Sequence, residues 1–399
     1  MPNHSLCALT PTPRQEIIFV PQKFTPSANR MLPSLWSVFL SDGIMHVRGP
    51  LLAALFTVYV FYPFIYEPVT SQLAARLSHP SAPAAFPIAV VARVADWLAS
   101  TPQIPLGSAP GRAYDVVLFA LATSAIHAFM YFSLNGFFLA CDRFGWLQRY
   151  KLPRKPQQVP SDALLAATLK ESIPSQLILQ PVTLYAVYCF LASFPSFYAD
   201  ASGSDPTPVL QPRPCPTLST CFWHLAAAQV TNEFLFYWAH RTFHEFTFLY
   251  QNVHKQHHKF IGSVGIAAEY AHPLEQALAN QGPTAFYCVY MSYLIHPAIW
   301  LVWIGWRLWE TYEAHSGYCF EDTWLSRIGL LHAHRARWHD FHHTVNKGNY
   351  GSKFFDRLFG SMKAYAEFQD REELQESKAV KGTGALQPRT TSPVGRASG

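Results

Sequence analysis

The sequence predicts an all-α integral membrane protein, a transmembrane helical bundle with its polar chemistry gathered on one face. Three observations carry the prediction. Half of the 399 residues are apolar, 15% are aromatic and only 14% are charged, against about 25% charged in an average soluble chain. Apolar runs of spanning length alternate with polar, proline-bearing connections. Histidines then crowd in directly after one such run: HRTFHEFTFLYQNVHKQHH, His240–His258, holds five in nineteen residues.

Residues 1–45 are mixed in character and are expected to be loosely ordered. They lack a charged-then-apolar leader with a cleavage site, so the first apolar run is expected to stay as an uncleaved anchor. That run begins with LLAALFTVYVFYPFIY, Leu51–Tyr66. Residues 67–113 are rich in Pro, Ala and Ser. Their one apolar piece, Phe86–Leu98, contains Arg93 and Asp96 and reads as interfacial or loop. Tyr114–Cys141 is long enough to cross, since a span needs about 20 residues. Residues 46–141 are expected to form an N-terminal transmembrane unit with a lumenal connection, 142–365 the domain that carries the histidines, and 366–399 a disordered tail rich in Gly, Ser, Thr and Pro.

The orientation follows from basic residues. DRFGWLQRYKLPRKPQQ follows the second span and is strongly basic. A third span is expected at 173–198 and a fourth at 221–239. The connection between them, DASGSDPTPVLQPRPCPT, has the single basic residue Arg213. The positive-inside rule makes 142–170 cytosolic and the poorly charged connection lumenal. The fourth span therefore delivers the histidines to the cytosolic side. A second cluster, HDFHH at His339–His343, can join them only if the chain between crosses an even number of times. Residues 275–313 supply that as a hairpin turning at His296–Pro297, two helices of about 18 residues and about 27 Å each.

The net charge of +5 is modest, and its basic connections suit a cytosolic membrane face; no nucleic-acid partner is expected. Seven cysteines contain no CxxC pair, so neither a disulfide framework nor a cysteine zinc site is indicated. Cys215 and Cys221 share one connection and would pair only in an oxidising lumen.

The histidine spacing carries the chemistry. His240 and His244 stand four apart. His254, His257 and His258 follow i, i+3, i+4, and His339, His342 and His343 repeat it, which places eight imidazoles on three short helical faces. Imidazole binds zinc, iron, copper and nickel. One zinc takes about four ligands; eight suit two metals. HExxH is absent, because Arg241 stands where the general-base Glu would be, and the ExxH motifs of carboxylate-bridged bundles are missing too. An all-histidine dimetal centre at the cytosolic face remains.

HRTFH, HKQHH and HDFHH resemble the three histidine boxes of the fatty acid hydroxylase and sterol desaturase superfamily. AEYAHPLE (Ala268–Glu275), HSGY (His315–Tyr318), GNYGSKFFDRLFG (Gly348–Gly360) and the basic YKLPRKP (Tyr150–Pro156) resemble its C-4 methylsterol oxidase branch. The resemblance covers roughly 140–365. It implies a membrane-embedded non-haem di-iron oxygenase using O2. Its product series would be the alcohol, aldehyde and carboxylate of a sterol C-4 methyl group. It implies electrons from NAD(P)H through a reductase and cytochrome b5, residence in the endoplasmic reticulum, and other C-4 demethylation enzymes as neighbours. It also places His315 and His272 near the metals. Two positions depart from the pattern: Trp338 stands where relatives often carry a histidine, and Cys319 where an acid often follows HSGY.

Glu233 lies two helical turns before His240 on the same face. A carboxylate buried in a span is costly and commonly functional, so it reads as holding a ligand histidine by its free N–H. Asp340 and Glu275 are candidates for the same task. Arg241, Lys255, Lys259, Arg327, Arg335, Arg337, Lys347, Lys353 and Arg357 surround the boxes. They would steer an acidic electron donor, or they reflect the positive-inside bias alone. Trp300, Trp303, Trp306 and Trp309 could line a sterol-sized cavity or serve as plain helix packing. The alternatives are a hydroxylase of another lipid (sphingoid base, fatty alkyl chain or sterol side chain) and a zinc-dependent membrane hydrolase. A metal transporter is disfavoured, because its ligands would sit inside the spans rather than beyond their ends.

Overall fold

A computed structural model describes residues 47–78, 93, 110–192, 214–291, 295–321 and 323–371, which form helices joined by turns; among them there is no strand, only an isolated bridge between Lys151 and Tyr318. The segment 1–45, the piece Phe86–Leu98 apart from Arg93, the connection at 200–213 and the tail from 372 lie outside the described residues.

Helix α1 runs from 47 to 78 and widens to a π-helix over Thr57–Tyr66, around Pro63. Proline has no N–H and its ring collides with the carbonyl four residues back, so the helix there abandons regular pairing. Helix α2, Pro110–Phe144, has 35 residues, about 52 Å at 1.5 Å per residue. Helix α3 spans 162–192; Ser161 caps it by accepting the Leu164 amide at 3.2 Å, and a π turn at Ser175–Leu179 follows Pro174. Helix α4, Leu218–Glu245, is capped by Thr217. It runs past the predicted span and carries the first histidine pair in its last turns.

A pair of helices turning at His296–Pro297 is present, although neither is among the two described helices long and apolar enough to cross a membrane. Helix α5 (Thr247–Asn252) and a 3-10 turn at His254–Lys259 lead to α6, residues 273–290, and then to α7, Pro297–His315. The His296 side chain accepts the Ala298 amide at 3.1 Å, and Pro297 occupies the first helical position, where a missing N–H costs nothing. The short helices α8 (Trp324–Ile328), α9 (Arg335–Val345) and α10 (Lys353–Leu358), with a last helix at 363–371, cap one end.

Helix α7 is the axis of the bundle. Every residue from Pro297 to Ile304 is buried, against α1, α2, α4 and α6, while its far end packs on α9. Its tryptophans serve helix packing: Trp300 donates to Thr123, Trp303 to the Thr284 carbonyl and Trp309 to the Leu330 carbonyl. The alternative of a cavity lined by tryptophans is not what the fold builds from this stripe. Cys215 and Cys221 are both free thiols, Cys221 buried within α4.

Among the described residues two helices are long and apolar enough to cross a membrane, Val47–Gln72 and Phe119–Phe144. The fourth predicted span is helical, but Gln229, Asn232 and Glu233 sit on its buried face. They dilute its apolarity because they build the site below.

Trp303→Ala is expected to lower stability by about 3–5 kcal/mol, since Trp303 is 1% exposed. Trp223→Ala, at a side chain 67% exposed, should stay within about 0.5 kcal/mol of the parent. Thermal unfolding in one detergent checks both.

Candidate metal centre

The histidine boxes assemble into two groups. His240, His244, His254, His258 and His342 form one; His257, His315, His339 and His343 form the other. Within each group the ring nitrogens lie within 4.8 Å of one another. The eight predicted imidazoles are all present, and His315 makes a ninth.

Each triplet is divided between the groups. On α9, His339 and His343 stand one turn apart and face the second group, while His342, about 100° round the helix from His343, faces the first. HKQHH divides in the opposite sense: His254 and His258 join the first group and His257 the second. The expectation of an α-helical face fails for this triplet, which lies on a 3-10 turn, His254–Lys259. Its tighter winding directly follows the break at Val253, whose φ is −121°.

Backbone carbonyls fix the rings. The Nδ1–H groups of His240, His257, His315, His342 and His343 donate to the carbonyls of Tyr350, Ala267, Thr311, Gly348 and Phe260 at 2.6–3.1 Å. His254 Nδ1 lies 2.9 Å from Glu275 Oε1. With the proton held on Nδ1 in those five rings, their Nε2 atoms carry bare lone pairs, and the Nε2 atoms of the two groups converge. His254 Nε2 stands 2.8 Å from His244 Nε2, His339 2.8 Å from His315, and His343 3.0 Å from His339. Lone pairs so close repel unless a cation lies among them, so the donor set fits metal ions.

The charge state agrees. Burial is the main influence on all nine rings. It lowers His257 to about 4 and His315 and His342 to about 3. It holds His240, His254, His258, His339 and His343 well below the ordinary value, with neighbouring imidazoles adding to the effect. The imidazoles are neutral ligands at any physiological pH.

The GNYG segment supplies two of those carbonyls. Gly348 (φ +73°) and Asn349 (φ +56°) bend the chain through the left-handed region, and a Cβ on Gly348 would meet the Ser361 carbonyl at 2.3 Å. Asp356, fully buried, accepts the amides of Tyr350 and Gly351 at 2.8 and 2.9 Å and so sets the strap against His240 and His342.

The other predicted site residues take different places. His272 joins neither group; its Nδ1 accepts the Leu274 amide at 3.2 Å and caps the start of α6. Asp340 accepts the Ser263 amide at 2.8 Å and pairs with Arg154 at 3.3 Å, tying α9 to the loop after the second box. Glu233 pairs with Arg335 at 2.7 Å and accepts from Gln229 at 3.0 Å. Arg335 is thus part of the interior and not of a basic docking face. The holding carboxylate beside a box histidine is Glu275.

Residues 225–361 match the family model for fatty acid hydroxylase. Methylsterol monooxygenase 2-2 of Arabidopsis thaliana is 30% identical over 274 residues, covering 65% of this chain and 91% of the relative. The chain belongs to the fatty acid hydroxylase family. The C-4 methylsterol oxidase of Schizosaccharomyces pombe is 28% identical over 263 residues, 64% of this chain and 81% of that one. A very-long-chain aldehyde decarbonylase of Oryza sativa is 37% identical over 172 residues, 41% of this chain and 62% of its own length. No solved structure matches the chain. This fatty acid hydroxylase family member is an oxidoreductase.

In this hydroxylase fold both histidine groups open on one cavity of about 70 Å3, with His240, His257, His315 and His339 on its wall. Facing them is a buried charged network. Arg335 bridges Glu233 and Glu310 at 2.7 and 3.4 Å, and His332 sits between Glu310 and Glu313 at 3.0 and 2.6 Å. Burial pulls His332 down, but Glu313 and Glu310 outweigh it and push it up to about 9.

Elemental analysis of the purified enzyme is expected to give two metal ions per chain. His257→Ala and His258→Ala, although adjacent, should each lose one ion from a different group, and the double variant should lose both. Protonated His332 stabilises the fold fully below its unfolded value of about 6.5, and the contribution disappears as pH rises through about 9. His332→Gln should therefore cost about 2–3 kcal/mol near pH 7 and little near pH 10 in unfolding experiments.

Proposed function

We propose that the enzyme oxidises the C-4 methyl group of sterol intermediates in successive steps, to alcohol, aldehyde and carboxylate, with dioxygen as oxidant. Electrons come from NAD(P)H through a reductase and cytochrome b5. The reaction takes place at the cytosolic face of the endoplasmic reticulum membrane, and two iron ions are held by the two histidine groups. The observation that carries the reading is the pair of neutral all-imidazole groups opening on one cavity, in a chain whose relatives over most of their length are named methylsterol monooxygenases.

Iron held there supplies the oxidising power to break an unactivated C–H bond, for which no side chain is strong enough. The chain does the rest. The carbonyls of Tyr350, Gly348, Ala267, Phe260 and Thr311 keep the Nδ1 protons on the outer side of the rings, so the Nε2 lone pairs stay aimed inward at no cost when metal binds. The cavity brings the reacting end of the lipid to His240, His257, His315 and His339. Hydrolysis at a zinc ion is disfavoured: Glu245, the carboxylate beside the first box, is half-exposed and pairs with Arg241 at 2.7 Å, away from the groups it would serve as a base. Placement in a membrane draws on the two apolar helices, 47–72 and 119–144, and on the basic connection between the second and third spans.

A second reading, chemistry on the aldehyde of a long alkyl chain, is favoured by the rice decarbonylase relative. Expression in a sterol C-4 demethylation mutant separates the two. Restored growth and loss of accumulated 4-methylsterols, both abolished by His257→Ala, is the expected result. Persistent 4-methylsterols together with consumption of long-chain aldehydes would replace the sterol reading with the second.

A further inference from the structure

We infer that a second, polar cavity beside the metal cavity holds water and admits the protons that the reaction consumes, with the Ser352 hydroxyl as the relay between the two. The inference rests on the reading of the site as an oxygenase. Each such step puts one atom of dioxygen into a C–H bond and reduces the other to water. It takes two electrons from the donor and two protons from solvent.

The second cavity, of about 80 Å3, lies against the first. The two share one wall, made of Glu310, Arg335, Trp338, Gly351 and Ser352. On its far side the second cavity is bounded by Gly49 and Pro50 at the start of α1, by His334 and by Lys353. His334 and Lys353 are half-buried, so this end reaches solvent, whereas Gln229 and Ser352 at the inner end are buried.

Two buried polar atoms show what fills it. Gln229, 2% exposed, donates its amide N–H groups to Glu233 and Glu310 at 3.0–3.2 Å, and its Oε1 has no partner among the described residues. Ser352, 8% exposed, stands on the shared wall, and its Oγ has no partner among them either. It directly precedes α10 without capping it. A buried polar atom left unpaired costs about 1–3 kcal/mol, and a polar cavity of this size has room for several waters. A lipid chain would satisfy neither atom and would lie against Gln229, Glu310, His332 and Arg335, so this space takes water and not substrate. A hydroxyl donates and accepts at once. Ser352 Oγ therefore takes a proton from water on the outer side as its own passes to water on the inner side; only O–H bonds form and break, and the side chain ends as it began. Arg335 and the Trp338 indole, on the same wall, donate but cannot accept. Glu310 is taken up by Gln229, His332 and Arg335.

The first test uses the full-length parent protein loaded with zinc, which is redox-silent, and no substrate. Hydroxyl radicals made from water by an X-ray pulse oxidise the side chains that touch water. Trp338 and Trp303 are both buried, at 3% and 1% exposure, but of the two only Trp338 lines the cavities. The peptide holding Trp338 should be oxidised with dose while that of Trp303 stays at background. Protection of Trp338 equal to that of Trp303 overturns the proposal. This measurement needs neither turnover nor a variant, so it decides even where substitutions at 352 fail to fold, and it holds or fails apart from the sterol reading. The second test compares Ser352→Thr with Ser352→Val, which are close in volume and differ in the hydroxyl, each checked for unchanged metal content. Ser352→Val should lower kcat for a 4,4-dimethylsterol by about 100-fold, the lower end of what a positioned proton donor supplies. Its KM should be unchanged and its solvent isotope effect in D2O larger than that of the parent. Ser352→Thr should keep most of the parent rate and the parent isotope effect. Equal kcat for the two variants overturns the relay even where Trp338 is oxidised. Oxidation of Trp338 in a parent protein that turns over no sterol removes the sterol reading and keeps the water-filled cavity.

Discussion

The close approach of unprotonated imidazole nitrogens is the constraint on which the rest of this structure depends. Nε2 atoms 2.8–3.2 Å apart, such as His254 against His244 and His240, are repulsive in themselves. Behind five of the nine rings a backbone carbonyl holds the Nδ1 proton outward and fixes the ring, and behind His254 stands Glu275. The carbonyls in turn need fixed backbone: the 3-10 turn at Gly265–Glu269 for His257, the GNYG strap for His240 and His342, and the loop at Phe260 for His343. Much of the helical end cap serves to make those segments rigid. Arg154 illustrates the arrangement: it pairs with Asp340 and donates to the Ser263 carbonyl, clamping the loop after the second box onto the helix of the third.

Opposite the histidines stands a wall of different chemistry. Glu233, Glu310, Arg335 and Arg307 are drawn from three helices, and their ion pairs hold α4, α7 and α9 in register around the cavity. An ion pair in such a place adds little net stability, because desolvation offsets the attraction. Its value is specificity of placement: removing one partner strands a charge. The axis helix α7 joins the two chemistries, with Arg307 and Glu310 on one stretch and His315 at its end.

The parts of this fold legible in the sequence are those written in side-chain periodicity. The hairpin at His296–Pro297 follows from parity and from a proline at a helix start, and the structure turns there. The eight box histidines are legible from spacing alone, and all eight lie in the two groups. Their division into two groups was not read, although the signal was available: in HxxHH the outer members stand one turn apart and the inner one points elsewhere. The supports around the rings were misjudged for a different reason. Of the carboxylates the sequence offers for this task, Glu233, Asp340 and Glu275, only Glu275 stands behind a ring, at His254; most of the work is done by backbone carbonyls, which every residue possesses and no motif marks. Glu233 belongs instead to a network whose other members, Arg307, Glu310, His332 and Arg335, are scattered singly along the chain; only folding brings them together.

One feature of the boxes reaches beyond the site. His257 and His258 are neighbours in the chain, as are His342 and His343, and each pair sends one ring to each group. Consecutive Cα atoms are about 3.8 Å apart whatever the surroundings. The spacing between the two groups is therefore ruled off twice by covalent geometry, from opposite sides, and owes nothing to the length of the connections that bring the boxes together. Loops outside the boxes can lengthen or shorten over time without retuning it, while a one-residue insertion inside either triplet would put both groups out of gauge at once.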